Sequence, residues 1–457
     1  MKLLPHLRVL AVLFAGVLVG ALDIAIVGPA LPAIRESFGV GPRSLSWVFS
    51  VYILFYLLGA PVLAKLSDRR GRRRAYVLGL VLFAAGSLLV ALAPAFPALL
   101  AGRALQAFGA GGMLPVASAV VAETFPLERR GRALGAIGAV FGVAFVLGPL
   151  LGGLLLPYGW QWLFLINLPV VAAVIAAGWQ VLPAQGAAGA APFDASGAAL
   201  LALALGCLVW GASHVDAAAL AASLASPATL PWLLAAVGAG VAFWHVEHRA
   251  RDPLLPPALL GTSTLRRVGA IAFAAGLVEA GMVFLPEIAV EGLDVEPARA
   301  SFMLLPLVAT LIVGAPAAGW LLDRRGAPLV LLLGLALTSL GLGAFVLLPL
   351  STATFYGAGV CVGLGLSGLL GAPLRYIVLQ HAGEERRGAG QGLLALFLST
   401  GRLVGASVIG GSAAASGAGA FAGYRTGLAV PAVACILAAL LAVALLREGA
   451  GRPAEIP

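Results

Sequence analysis

Long apolar runs separated by short polar clusters form the dominant pattern of this chain. Each run is close to the ~20 residues that an α-helix needs to cross the ~30 Å hydrocarbon core of a bilayer. Backbone groups in lipid must be hydrogen-bonded within their own segment, so these runs are predicted to be helices of an all-α polytopic membrane protein. The pattern predicts fourteen spans, at residues 8–31, 45–65, 75–94, 98–121, 133–156, 162–182, 196–213, 230–247, 268–290, 300–322, 327–349, 353–374, 389–411 and 424–446.

Two short signatures between the apolar runs occur twice in the same order. DRRG at 68–71 is followed by ERRG at 128–131, and DRRG at 323–326 is followed by ERRG at 385–388. The second pair lies about 256 residues after the first, which indicates an internal repeat. Two repeated membrane halves are typical of secondary transporters, which bind substrate between the halves. The repeat predicts three parts: a six-helix half at 1–182, linkers with two additional helices at 183–267, and a six-helix half at 268–457.

Charge placement agrees with this topology and changes the interpretation of the net charge of +9. The chain is 61% hydrophobic and 10% charged, with a mean hydropathy of +1.04. Most of its 28 Lys and Arg fall on segments that would be cytoplasmic if both termini were inside. This is the positive-inside bias of membrane proteins. We therefore expect a multi-pass protein of the inner (plasma) membrane with both termini in the cytoplasm, and no nucleic-acid partner.

The sequence offers no pattern for enzyme or metal chemistry. The three Cys and five His are scattered without metal-ligand spacing. No nucleophile–base constellation or phosphate-binding loop is present. We expect no cofactor and no metal, and we expect a monomer in the bilayer that is not an enzyme.

Two acids inside apolar runs are candidates for proton binding. Asp23 lies in the first run, and adding the repeat offset to it reaches Glu279. An intramembrane carboxylate is costly to bury and is by default a functional candidate, because burial favours its protonated form. The two acids are expected to face each other across a central cavity. The alternative for Asp23 is an aspartate at a helix end in water, and the alternative for Glu279 is a glutamate hydrogen-bonded between helices. Glu287 is treated as a rim residue near the outer end of its span.

Two arginines inside apolar runs are candidates for controlling those acids. Arg103 stays charged and cannot itself carry the proton, but it can change the proton affinity of a neighbouring carboxylate. The alternative interpretation is that the Arg103 side chain extends to the outer membrane interface, that is, snorkels. Arg402 has no neutralising residue within its own span, so a partner on another helix is expected, with Asp23 first and Glu279 second. The alternative is that Arg402 serves only as a structural counter-charge. Candidate cavity residues are Tyr52, Phe55, Gln106, Phe141, Phe145, Phe273 and Phe284.

Several segments carry a family resemblance in their order along the chain. They are LDIAIVGPALP at 22–32, LAKLSDRRGRRR at 63–74, RALQAFGAGG at 103–112, GPLLGG at 148–153 and WQWLFLINLP at 160–169. In this order they resemble the major facilitator superfamily, specifically its fourteen-span drug:proton antiporters. The resemblance implies a major facilitator fold with two six-helix halves plus two extra central helices.

The resemblance also implies roles for individual residues. It implies that Arg103 takes part in proton coupling and that Gly148, Pro149, Gly152 and Gly153 form the antiporter helix. It implies cytoplasmic gating by the two DRRG loops, through Asp68, Arg69, Gly71, Arg72, Asp323, Arg324 and Gly326.

Three functions remain compatible with the sequence. The first is a proton-coupled exporter of lipophilic small molecules or drugs. The second is an exporter of a lipid or glycolipid to the outer leaflet, since one fold serves many cargoes. The third is a non-coupled facilitator or receptor, which would not need Asp23 or Glu279.

Overall fold

A computed structural model describes residues 3–182, 194–250, 253, 257–382 and 387–450, apart from some side chains within the helices, among them that of Phe141. The elements of regular secondary structure in these residues are helices. Among them, 11 helices are long and apolar enough to cross a membrane, or 12 when one bent pair counts as a single span. The prediction of a helical multi-pass protein is confirmed. Two shorter apolar helices, Gly142–Tyr158 and Ser196–Ala212, fall below the length needed to be counted.

The α-helices are numbered along the chain. The first seven are α1 (Leu3–Phe38), α2 (Pro42–Arg70), α3 (Arg72–Ala91), α4 (Phe96–Thr124), α5 (Leu127–Leu155), α6 (Trp162–Leu165) and α7 (Asn167–Val181). The next six are α8 (Ala195–Ala212), α9 (Leu220–Leu224), α10 (Leu230–Arg249), α11 (Ser263–Val283), α12 (Leu285–Leu293) and α13 (Pro297–Phe302). The last six are α14 (Leu305–Arg325), α15 (Ala327–Leu347), α16 (Thr352–Leu370), α17 (Ala372–His381), α18 (Arg387–Ala415) and α19 (Ala420–Ala450).

The helices pack as two units. The first contains Met1–Ala198 and Glu296–Phe302, and the second contains Ala199–Val295 and Met303–Pro457. Most of α8, with α9 and α10, therefore groups with the C-terminal helices, although the sequence suggested a separate central part. The short helix α13 groups with the N-terminal helices, although its neighbours in the chain do not.

Glycines set the turns and the close helix contacts that position the candidate residues. Gly71 (φ 98°) joins α2 to α3, and Gly326 (φ 79°) joins α14 to α15. Both conformations favour glycine because a side chain is strained there. Within the first unit, a Cβ on Gly59 or Gly111 would overlap backbone atoms of α4 or α2, respectively. These two helices therefore approach more closely than larger residues would allow, as is common in membrane bundles.

Candidate functional site

A fully buried polar network in the first unit surrounds Asp23. Arg103 on α4 donates from Nη1 to Asp23 Oδ2 (2.5 Å) and to Gln106 Oε1 (2.6 Å). Gln106 donates from Nε2 to Asp23 Oδ1 (2.7 Å) and to Ser87 Oγ on α3 (2.8 Å). All four residues are 0% exposed. Both oxygens of the Asp23 carboxylate are therefore bound by donors from a single neighbouring helix.

Aromatic rings enclose the Arg103 guanidinium. Its Cζ lies 4.1 Å from the ring centroid of Tyr52 and 5.7 Å from that of Phe164. Its Nε donates to the carbonyl oxygen of Val48 (3.3 Å). A cation over an aromatic face is stabilised by the ring quadrupole, more so when water is excluded. Arg103 therefore keeps favourable contacts that do not depend on the charge of Asp23.

This geometry decides three of the alternatives that the sequence left open. Arg103 is buried and ion-paired, so it does not snorkel to an interface. The partner of Asp23 is Arg103, and the first-choice pairing of Asp23 with Arg402 is wrong, because Arg402 is engaged by another acid. Asp23 is also fully buried, which rules out the helix-end aspartate in water.

A second ion pair lies in the second unit, between α11 and α18. Arg402 donates from Nε to Glu279 Oε2 (2.8 Å) and from Nη2 to Glu279 Oε1 (2.7 Å). Two parallel bonds between a guanidinium and a carboxylate are strong and fix the orientation of both groups. The side chains are 18% and 9% exposed, so this pair is partly accessible. The second-choice partner of Arg402 is therefore the one that the structure shows.

Small residues on α11 and α18 allow this pairing. A Cβ on Gly276 would overlap the carbonyl oxygen of Leu398, and a Cβ on Gly401 would overlap that of Phe273. Gly401 precedes Arg402 directly, and Gly276 lies about one turn before Glu279 on its helix. Close contact between the two backbones places the acid and the arginine within hydrogen-bonding distance.

The first DRRG loop is held by a charged cluster around Arg72. Arg72 Nη1 donates to Asp68 and to Ser67 Oγ (2.6 Å). Its Nε and Nη2 donate to Glu123 Oε1 at the end of α4, at 2.9 and 2.6 Å. The ends of α2, α3 and α4 are joined by this one arginine, whereas Arg69 is exposed.

The second DRRG loop is built differently. Asp323 and Arg324 are exposed, and the Arg324 guanidinium lies 4.3 Å from the ring centroid of Trp320. Gly326 is followed by Ala327 where Gly71 is followed by Arg72. Among the residues that the structure describes, the repeat of the signature is therefore not matched by a repeat of its contacts.

The glycines of α5 are contact points for other helices of the first unit. A Cβ on Gly148 would crowd Ala25 on α1. A Cβ on Gly152 would overlap Ser301 Oγ on α13 and crowd Pro29. The Ser301 hydroxyl donates to the carbonyl oxygen of Pro149 (2.9 Å). The GPLLGG segment is thus where α1 and α13 approach α5.

The proposed cavity aromatics are not equally exposed. Phe55, Phe145 and Phe273 are half-buried. The Phe141 side chain lies outside the described residues. Tyr52, Gln106 and Phe284 have no exposed surface, so none of these three faces an open cavity in this structure.

Two residues of these sites were not predicted from the sequence. Ser87 and Glu123 are bound by Gln106 and Arg72, respectively, but no motif or offset marks either of them. Glu287 was treated as a rim residue, yet it is 0% exposed in the first turn of α12. Among the described residues, no group of three His, Cys, Asp or Glu is arranged to hold a metal ion.

Three relatives of known name are similar over most of the chain. The tetracenomycin C resistance and export protein of Streptomyces glaucescens is 31% identical over 89% of this chain and 75% of its own length. The multidrug resistance protein Stp of Mycobacterium tuberculosis is 31% identical over 86% and 73%. The triacylglyceride transporter of Mycobacteroides abscessus is 32% identical over 86% and 80%.

A structural comparison and a family model point to the same kind of protein as these relatives. A crystal structure of a bacterial homologue of the human lysosomal transporter Spinster superposes with a TM-score of 0.68, at 17% identity, covering 97% of each chain. A model of the Major Facilitator Superfamily matches residues 13–406 and, separately, residues 268–457. This family consists of transporters and not of enzymes. The chain is a multi-pass membrane protein that belongs to the Major Facilitator Superfamily.

Proposed function

We propose that this chain is a proton-coupled antiporter that exports lipophilic small molecules by alternating access. The observation that carries the proposal is the Asp23 carboxylate, which is fully buried and bound by Arg103 and Gln106. Intramembrane acids of this kind mark proton paths in transporters. The names of two relatives, an export protein and a multidrug resistance protein, favour small-molecule cargo.

The proton step acts on the contact between α1 and α4. A proton on Asp23 Oδ2 removes the negative charge and replaces a strong charge-assisted bond with a weaker one. Arg103 stays bound to Gln106 and Val48 and over the ring of Tyr52. Loading a proton therefore loosens the hold of α4 on α1 and leaves the buried arginine with these neutral contacts alone, which is the kind of change that can bias a two-state carrier.

The pair of Glu279 and Arg402 supplies a second charged site. Its partial exposure makes it accessible to water or to a polar substrate group. We propose that Glu279 is a second proton-coupling acid. The proton gradient supplies ~2.3 kcal/mol per 100 mV for each charge and about 1.4 kcal/mol per pH unit.

The same proposal includes the number of membrane spans, the membrane in which the protein lies and the side on which its termini lie. Adding the two shorter apolar helices to the twelve spans that include the bent pair gives the fourteen spans of the drug:proton antiporters. We propose that the protein lies in the plasma membrane as a monomer with both termini in the cytoplasm. The Arg72 cluster and the second DRRG loop then form cytoplasmic gates.

Lipid export is the second candidate. It is favoured by the similarity to a protein named as a triacylglyceride transporter. The same fold would then move a lipid to the outer leaflet, with or without a proton.

The test uses purified protein in liposomes with an imposed pH gradient and ethidium as the transported dye. We expect gradient-driven ethidium movement that is lost in Asp23→Asn and in Glu279→Gln. Loss in Asp23→Asn alone would restrict coupling to the first unit. Wild-type protein that moves a fluorescent triacylglyceride but no ethidium would replace drug export with lipid export.

A further inference from the structure

Four arginines lie where α2 ends and α3 begins. Arg69 and Arg70 are exposed at the end of α2, and Arg73 and Arg74 lie in the first turn of α3. Among the described residues, no acid forms an ion pair with any of the four. The acids that the structure places in this region are both bound by Arg72. The positive charge of this four-arginine cluster is therefore not neutralised by the described part of the chain.

The start of α3 is an unfavourable place for so much positive charge. The N-terminus of a helix carries about half a positive charge from its unpaired N–H groups, and it favours anions. The helix nevertheless begins with Arg72, Arg73 and Arg74, and its first turn has neither an acid nor a side-chain cap. An anion bound from outside the chain would offset both the helix dipole and the charge of the side chains.

Trp179 holds Arg73 at the edge of the helix bundle. Arg73 Nη1 donates to the carbonyl oxygen of Trp179 in the last turn of α7 (2.9 Å), and its Cζ lies 5.0 Å from the centroid of the Trp179 ring. This tryptophan is 52% exposed. Exposed tryptophans of membrane proteins concentrate at the level of the lipid headgroups. The Arg73 guanidinium is therefore oriented at the depth where phospholipid phosphates lie.

We propose that the four-arginine cluster and Trp179 form a binding site for the headgroup of an anionic phospholipid such as phosphatidylglycerol. The guanidinium groups donate to the phosphate oxygens, because their planar forks match phosphate geometry. The Trp179 ring packs against the glycerol part of the same lipid. The site lies at the membrane surface where α2 ends and α3 begins, and it is separate from the buried Asp23 network.

The second unit contains a similar pair without the rest of the site. The Arg324 Cζ lies 4.3 Å from the ring centroid of Trp320, which is 54% exposed. Arg325 follows it and the exposed Asp323 precedes it, but the next helix begins with Ala327 and has no basic residue in its first turn. Arg324→Gln and Trp320→Leu are therefore matched controls, since they remove an equivalent arginine and an equivalent ring where the positive charge is lower.

The experiment measures lipid binding by native mass spectrometry of purified protein in detergent with equal amounts of phosphatidylglycerol and phosphatidylcholine. We expect wild type to retain phosphatidylglycerol in preference. Arg73→Gln should weaken its binding about fivefold, and Arg73→Gln/Arg74→Gln about 25-fold, because each arginine near anionic lipid contributes about a factor of five. Trp179→Leu should also weaken it, because Arg73 is then no longer held in place. Arg324→Gln and Trp320→Leu should stay within about twofold of wild type.

Three results would overturn the assignment. The first is a wild type that retains both lipids equally. The second is an equal loss in Arg73→Gln and Arg324→Gln, which would mean that net charge alone attracts the lipid. The third is displacement of phosphatidylglycerol by the same concentration of inorganic phosphate, which would assign the cluster to a free anion.

Folding of the variants is checked separately from lipid binding. Unfolding temperatures are measured in detergent with phosphatidylcholine alone. If Arg73→Gln fails to fold, Arg73→Lys replaces it, because lysine keeps the charge but loses the planar fork. Arg73→Lys should still retain less phosphatidylglycerol than wild type, and retention equal to wild type would reject the role of the Arg73 guanidinium.

Discussion

At the scale of single residues, the two intramembrane acids differ in how far they are separated from water. The side chains of Asp23 and Arg103 are both 0% exposed, whereas those of Glu279 and Arg402 are 9% and 18% exposed. Removing one partner of a buried pair leaves an uncompensated charge, which costs about 3–5 kcal/mol. Partial access to water reduces that cost. The first pair should therefore be the more sensitive to neutralisation of its acid.

We predict that Asp23→Asn lowers the free energy of unfolding by about 3–5 kcal/mol, and that Glu279→Gln lowers it by less. The double variant Asp23→Asn/Arg103→Gln should regain part of the loss, because no charge is then left unpaired. Thermal unfolding in detergent measures the stability of all three variants. The coupling is read from a double-mutant cycle.

Additive effects in that cycle would contradict the prediction, since they would mean that Arg103 is stabilised independently of Asp23. Arg103→Gln also removes the contacts of Arg103 with Tyr52 and Val48, so the loss of these contacts sets the upper limit of what the double variant can regain. Arg402 is the matched comparison. Glu279→Gln with Arg402→Gln should show a weaker coupling than the first pair.

The positions of both acids were predictable from the sequence, but their partners were only partly so. The repeat offset identified Glu279 from Asp23 because the offset depends only on position along the chain. Partner choice depends on which helices pack together, and that is set by small residues such as Gly276 and Gly401. From the sequence, Arg402 was expected to pair with Asp23 or Glu279, whereas Arg103 was expected to act on a neighbouring carboxylate that was not named.

At the scale of helices, proline and glycine explain where the structure departs from simple apolar runs. The predicted span 268–290 is divided between α11 and α12 with a 44° bend. Pro286 lies in the first turn of α12 and has no N–H to donate back into α11. The bend occurs inside a run that is apolar on average, so hydropathy alone did not indicate it.

Close contacts on α5 give a prediction at this scale. We predict that Gly152→Ala lowers stability by about 1–3 kcal/mol, the usual cost of overpacking. The new methyl group would overlap Ser301 Oγ and crowd Pro29. Gly142→Ala is the control on the same helix, since no atom that the structure describes lies within 4 Å of its Cβ. It should be neutral or stabilising by about 0.5–1 kcal/mol through helix propensity.

Unfolding temperatures of the two variants in the same detergent check this prediction. Equal shifts would mean that α5 adjusts freely at Gly152, and the role of this glycine as a contact point would then be rejected. A loss in Gly152→Ala that is removed by adding Ser301→Ala would locate the overlap at the Ser301 hydroxyl.

At the scale of the whole molecule, the two halves share the repeated sequence signatures more than they share the contacts of the charged side chains. The first DRRG loop ties three helix ends together through Arg72, while the second has Ala327 at the corresponding place and an Arg324 stacked on Trp320. The acid of the first unit is held by α4, and that of the second by α18. A duplicated chain has thus acquired two different sets of ionic contacts.

This asymmetry predicts unequal effects of matched loop variants on transport. Arg72→Gln removes the ionic bonds to Asp68 and Glu123 and the bond to Ser67. Because both acids are partly exposed and can bind water instead, stability should fall by only about 1 kcal/mol. Transport in liposomes should nevertheless fall about tenfold, because a gate that stabilises one state by about 1.4 kcal/mol shifts its population by that factor. Arg324→Gln should change transport by less than about twofold, because its guanidinium is exposed and lies against the ring of Trp320.

Two outcomes would contradict this prediction. Equal losses of transport in both variants would show that the loops act through their positive charge alone. A large fall in the unfolding temperature of Arg72→Gln would show that the Arg72 cluster is structural.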